Sequence, residues 1–232
     1  MKETMTIKGK TCRIFGEPDA KTILLQAVDA HDLEGMDKET AYIDEMTGDI
    51  PYLLAAFQVE DWNHDLAPWA APPVFGKAAF GNGAPETLAF VTGELIPALS
   101  AHFGGMHDQK PQYLIGGYSL AGLFALWAAY QTDLFSGVAA VSPSVWFPGW
   151  KDYMLANQIR TGAVYLSLGD KEEKAKNHVM AQVGDAIRAG YEKLRKTEGV
   201  TGILEWNPGN HFTDSELRTA KGFAWLLGRV QR

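Results

Sequence analysis

Cysteine is almost absent from this 232-residue chain. Cys12 stands alone, which excludes an intramolecular disulfide and any metal site built on thiolates. Long apolar runs are missing too. The longest, Leu123 to Tyr130, falls far short of the roughly 18 residues that a membrane span requires. The opening MKETMTIKGKTCRIF has no apolar stretch to serve as the core of a signal peptide, so the expected location is cytoplasmic. Positive charge is in deficit. Lys and Arg number 21 against 28 Asp and Glu, a formal net charge of −7, which argues against nucleic acid or an anionic membrane as partner. The 24 glycines and 11 prolines form no repeat and no linker. No 20–50-residue self-similarity appears, so residues 1–232 read as one domain.

What is present is a series of apolar strands and helical stripes. Residues 5–14 have the look of a strand. Thr22 to Val28 (TILLQAV), Leu53 to Val59 (LLAAFQV), Gln112 to Gly116 (QYLIG), Gly137 to Ser142 (GVAAVS) and Ala163 to Leu168 (AVYLSL) are short runs without polar alternation. Such runs suit strands buried on both faces, as in a parallel sheet covered by helices. Helical periods follow from Pro85 to Phe103, Leu120 to Gln131, Ala181 to Thr197 and Asp214 to Val230, with a last strand at Gly202 to Trp206. Residues 61–82, with three prolines and little period, read as a long surface loop. The expected class is α/β, a mostly parallel sheet with helices on both faces and ligands at the carboxyl ends of its strands. Cys12, in the first strand, reads as a small buried apolar residue.

The segment Gly117-Tyr118-Ser119-Leu120-Ala121-Gly122 joins a strand to a buried helix, the setting of a nucleophile elbow. A serine on such a turn needs small residues two positions before and two after it, so that the two backbones can pass. Gly117 and Ala121 meet that need, although the usual pattern ends in glycine. Ser119 is therefore the candidate nucleophile, with a capping serine as the plainer alternative. Of His31, His64, His102, His107, His178 and His211, only His211 lies just past the last strand, in the turn-rich segment NPGNHFTD. The acid belongs after the penultimate strand, where Asp170, Glu172 and Glu173 compete. Glu172 is favoured, because it sits at the crest of the loop and reaches further. For an oxyanion the expected donors are the Leu120 amide and an amide in the loop after TILLQAV, at Val28.

These motifs resemble the esterase family of α/β hydrolases that groups esterase D-type enzymes, enterochelin (siderophore) esterases and feruloyl esterases. DWNHDLAPW resembles its R-x-x-D-L-T-P loop, without the arginine and with Ala67 for threonine. GNGAPETLAFVTGELIPAL resembles its Gly-rich turn and helix, and GGYSLAGLFALWAA its elbow, followed by Ser142-Pro143-Ser144. GDKE resembles its acid loop, in which the fourth residue is the acid and corresponds to Glu172. GNHFTDSELRTAKGFAWLL resembles its histidine loop and final helix. The resemblance implies an α/β-hydrolase fold with little or no lid. It also implies hydrolysis of a small-molecule carboxylic ester through an acyl-serine intermediate, with no cofactor and no metal. Acyl transfer by the same residues and a non-catalytic binding protein are the alternatives. Trp62, Trp69 and Trp146 are candidates for an aromatic pocket or for ordinary packing, with Trp62 and Trp146 the nearer guesses for the pocket. No basic residue lies in the elbow or the histidine loop, so the expected ester is neutral.

Overall fold

The computed structural model describes residues 1–48, 50–103 and 111–230. In chain order it contains β1 (Lys2–Ile7), β2 (Lys10–Gly16), β3 (Thr22–Val28), α1 (Ala30–Thr47), β4 (Leu53–Gln58) and α2 (Trp62–Asp65). Next come α3 (Ala84–Phe90), a π-helical turn (Val91–Leu95), α4 (Ile96–Phe103), β5 (Gln112–Tyr118) and α5 (Ser119–Gln131). The last third holds β6 (Phe135–Val141), α6 (Trp150–Ala156), β7 (Ala163–Gly169), α7 (Val183–Leu194), β8 (Thr201–Asn207) and α8 (Ser215–Val230). The eight strands make one sheet in the order β1-β2-β4-β3-β5-β6-β7-β8. Its first two pairings are antiparallel and the other five parallel.

Alternation along each strand decides which helices it meets. On one face Leu24, Val28, Leu54, Leu114 and Tyr165 pack against Met36 and Ile43 of α1 and against Phe223 and Leu227 of α8. On the other, Leu25, Phe57, Ile115 and Leu166 pack against α3 to α7. Helix α5 is buried almost all round, from Leu120 to Tyr130, as its uninterrupted apolar sequence requires. Cys12 is fully buried, and burial pushes its thiol up to about 11, which fits packing and not reactivity.

Three elements depart from the pattern read in the sequence. The strand expected over 5–14 is a hairpin, because Lys8 and Gly9 both take positive φ (49° and 83°) and turn the chain in two residues. Helix α1 was not expected at all. Its buried positions are Met36, Glu39, Thr40 and Ile43, so half its inward stripe is polar. The loop over 61–82 contains α2 and a bridge between Ala71 and Phe80, and it buries Leu66, Ala67 and Phe80. Within the helix read over 85–103, Ile96 N–H bonds to Val91 O, which makes the π turn directly before Pro97. A proline cannot donate and crowds the carbonyl a turn earlier, and such a bulge accommodates it. Among the described residues no helix is long and apolar enough to cross a membrane.

Candidate active site

The carboxyl ends of β5, β6, β7 and β8 bring the predicted side chains together. Ser119 begins α5 with φ of 59°, a strained conformation held by what surrounds it. A Cβ at Gly117 would stand 2.7 Å from that of Ala121, and one at Gly122 would stand 2.8 Å from the Gly117 carbonyl oxygen. Glycine is needed at 117 and 122. No side chain caps this end of α5, so its first amides, Leu120 among them, are without intrahelical acceptors.

His211 follows β8 on the expected turn. Its Nε2 lies 2.9 Å from Ser119 Oγ and its Nδ1 lies 2.7 Å from Glu172 Oε2. Glu172 is buried after β7 and uses its second oxygen to accept from Ser142 Oγ (2.7 Å), the Gly169 amide (2.7 Å) and Arg218 Nη1 (3.4 Å). Burial pushes the carboxyl upward. Hydrogen bonding and charge from His211, with the Ser142 hydroxyl and the Gly169 amide, outweigh it and hold the group below its ordinary value. The two neighbouring acids are engaged elsewhere. Asp170 Oδ1 accepts from the Gly209 amide at 2.8 Å and ties the histidine loop to the acid loop, while Glu173 pairs with Arg188 at 2.7 Å.

Several residues that sequence reasoning did not assign complete the arrangement. Arg218, in the first turn of α8 and only 1% exposed, donates to Pro208 O (2.8 Å) and Tyr118 OH (3.2 Å) as well as to Glu172. Tyr118 in turn donates to the His211 carbonyl at 2.8 Å. An arginine inside the buried stripe of a helix behind a histidine loop was the available signal. Ser144 Oγ lies 3.4 Å from Ser119 Oγ, and its amide donates to Ser119 O. Ser119 and His211 open into a cleft of about 660 Å³. Its other walls include Trp62, Phe212, Gln26, Asp29, Asp32, Glu39 and Glu216. Val28 is buried at the end of β3, its carbonyl accepting from the Val59 amide, and the next residue, Asp29, is the one that lines the cleft. Trp146 lines a different depression with Val145 and Phe147 and packs edge-on to Phe75. Trp69 stacks on Trp150 and donates to Pro148 O. His31, His64, His102 and His178 are exposed, His31 at the cleft, and His107 lies outside the described residues.

Residues 25–211 match the family model described as Putative esterase. The chain belongs to that esterase family. No curated protein is significantly similar to this esterase in sequence. Solved structures share its fold at low identity. An IroE-like serine hydrolase from Shewanella oneidensis superposes with a TM-score of 0.79 at 16% identity, covering 98% of this chain and 80% of the other. The siderophore hydrolase EstA from Aspergillus nidulans does so with 0.76 at 16%, covering 99% and 94%. The enterobactin esterase FES from Shigella flexneri gives 0.68 at 15%, covering 99% of this chain and 59% of its own. The esterase thus has the α/β-hydrolase fold, and family membership makes it a serine ester hydrolase.

Proposed function

We propose that Ser119, His211 and Glu172 act as a catalytic triad that hydrolyses a small carboxylic ester through an acyl-serine intermediate. The observation that carries this reading is the unbroken contact from Ser119 Oγ to His211 Nε2 (2.9 Å) and from His211 Nδ1 to Glu172 (2.7 Å). An ionised Glu172 keeps the ring proton on Nδ1 and leaves the Nε2 lone pair toward serine. As Oγ attacks the carbonyl carbon its proton passes to Nε2, and the resulting imidazolium returns it to the departing alcohol oxygen. Water then repeats the two transfers at the acyl-enzyme, releasing the acid and restoring the serine. The Leu120 amide and an amide of the turn after β3 are the donors we assign to the developing oxyanion.

The substrate brings no negative charge to this cleft, whose walls hold carboxylates and neither lysine nor arginine. Exclusion of anions is the part of the neutral-ester expectation that we retain. The test is labelling by a fluorophosphonate together with turnover of nitrophenyl esters. Wild type is expected to do both and Ser119→Ala neither. A Ser119→Ala protein that still labels and turns over refutes the assignment.

A further inference from the structure

Beside Ser119 the cleft holds acceptors that the protein leaves without donors. Gln26 on β3 and Glu39 on α1 are each 4% exposed and line the cleft, and Gln26 Nε2 donates to Glu39 Oε2 at 3.3 Å. Gln26 Oε1 and the second Glu39 oxygen, Oε1, are both buried with no hydrogen-bond partner. Buried polar atoms are nearly always hydrogen-bonded, so two unpaired ones on residues that line one cleft point to a donor from outside the chain. Asp32 lies at the same wall, with Asp29 and Glu216 close by. Asp29 is occupied in capping α1, through its contact with the Asp32 amide, and Glu216 has Lys38 at 3.5 Å. Asp32 has no lysine or arginine partner among the described residues. Burial and then Asp29 push Asp32 up to about 6, with Glu216 adding to the rise and His31 partly opposing it. Burial, offset partly by Gln26 and reinforced by Asp32 and Glu216, pushes Glu39 up to about 8. A cation brought to this wall lowers both.

Among the described residues no three His, Cys, Asp or Glu side chains gather in a way that could hold a metal ion. A group that spreads several N–H donors over separated oxygens fits better. Trp62 adds an aromatic face, a surface that attracts organic cations. We propose that this wall is a specificity subsite for a primary ammonium group on the ester, with Gln26 and Glu39 accepting its N–H bonds and Asp32 balancing its charge. The proposal rests on the hydrolase reading of Ser119 and adds the substrate class to it.

Three matched nitrophenyl esters test it at pH 8, their acyl chains ending in a methyl, a primary ammonium or a trimethylammonium group. Wild type is expected to favour the ammonium ester over both others by at least about tenfold in kcat/KM, since a site built for hydrogen bonds discriminates against analogues lacking them. Added salt should shrink the preference over the methyl ester. Asp32→Asn and Glu39→Gln, each checked by thermal unfolding, should bring that ratio toward one. Equal turnover of the three esters by wild type overturns the subsite, as does a preference that survives both substitutions. Labelling at Ser119 with no ester turned over also overturns it. A wild type that neither labels nor hydrolyses any of the three overturns the hydrolase reading instead.

Discussion

Glu39→Gln is expected to stabilise the protein, and to do so only toward alkaline pH. Glu39 is 4% exposed, and burial, eased by Gln26 and worsened by Asp32 and Glu216, raises its carboxyl from 4.5 to about 8. The folded chain therefore holds this proton more tightly than the unfolded chain does. Its contribution to stability is complete below pH 4.5 and is lost as pH rises through about 8. A shift of that size is worth on the order of 3–5 kcal/mol at pH 9. For a chain of this length each kcal/mol moves Tm by about 2–4 °C. At pH 5 the substitution replaces one neutral group by another, and the introduced amide can offer a donor to the unpartnered Gln26 oxygen, so the two proteins should melt within about 2 °C. At pH 9 the variant should melt higher, by about 6 °C or more. Thermal unfolding followed by circular dichroism at pH 5, 7 and 9 decides it. Parallel curves of Tm against pH, or a variant that melts lower at pH 9, refute the reasoning about the buried carboxylate.

Two further substitutions probe the positioning of the triad. Arg218→Met removes the buried cation from Glu172 and strips a donor from Pro208 O, and breaking one side of a buried ion pair costs about 3–5 kcal/mol. The expected result is a Tm lower by about 6 °C or more, with kcat falling further than KM rises; an unchanged kcat would remove Arg218 from the positioning role. Gly169→Ala places a methyl 2.5 Å from Gly209 O and 2.9 Å from Glu172 Oε1. Overpacking of this kind costs about 1–3 kcal/mol, and steady-state kinetics should show kcat reduced by at least about tenfold, because the displaced group is the histidine's partner.

The strands were legible because parallel strands buried on both faces are largely apolar, as TILLQAV and AVYLSL are except at Thr22, Gln26 and Ser167. The elbow was legible for a steric reason, since only small residues pass at Gly117 and Ala121. Helix α1 was hidden because Glu39 and Thr40 occupy its buried stripe beside Met36 and Ile43, which blurs the helical period. The choice among Asp170, Glu172 and Glu173 turned on partners far away in sequence, the Gly209 amide and Arg188, which occupy the two outer acids. Nor does any spacing rule separate Trp62, which reaches the cleft, from Trp146, which joins Phe75 at another depression.

Two of the features hidden in the sequence are charged groups placed where a pattern of apolar positions predicts none. Arg218 and Glu39 are both buried in helices packed on the same face of the sheet, and they are satisfied differently. Arg218 has Glu172, Tyr118 and Pro208 around its guanidinium, and Glu172 has His211, Ser142 and Gly169 around its carboxylate. That set is closed, as a framework that must hold one geometry through two proton transfers should be. The wall carrying Glu39 is not closed in this way, with two buried oxygens unpaired and no lysine or arginine lining the cleft. A fold retains an uncompensated buried acid against its effect on stability where that acid meets something from outside the chain. The first turn of α8 serves both sets, Arg218 reaching inward to Glu172 and Glu216 standing at the cleft. Substitutions on α1 should therefore change which ester is preferred without moving the triad, whereas substitutions in the first turn of α8 should change both.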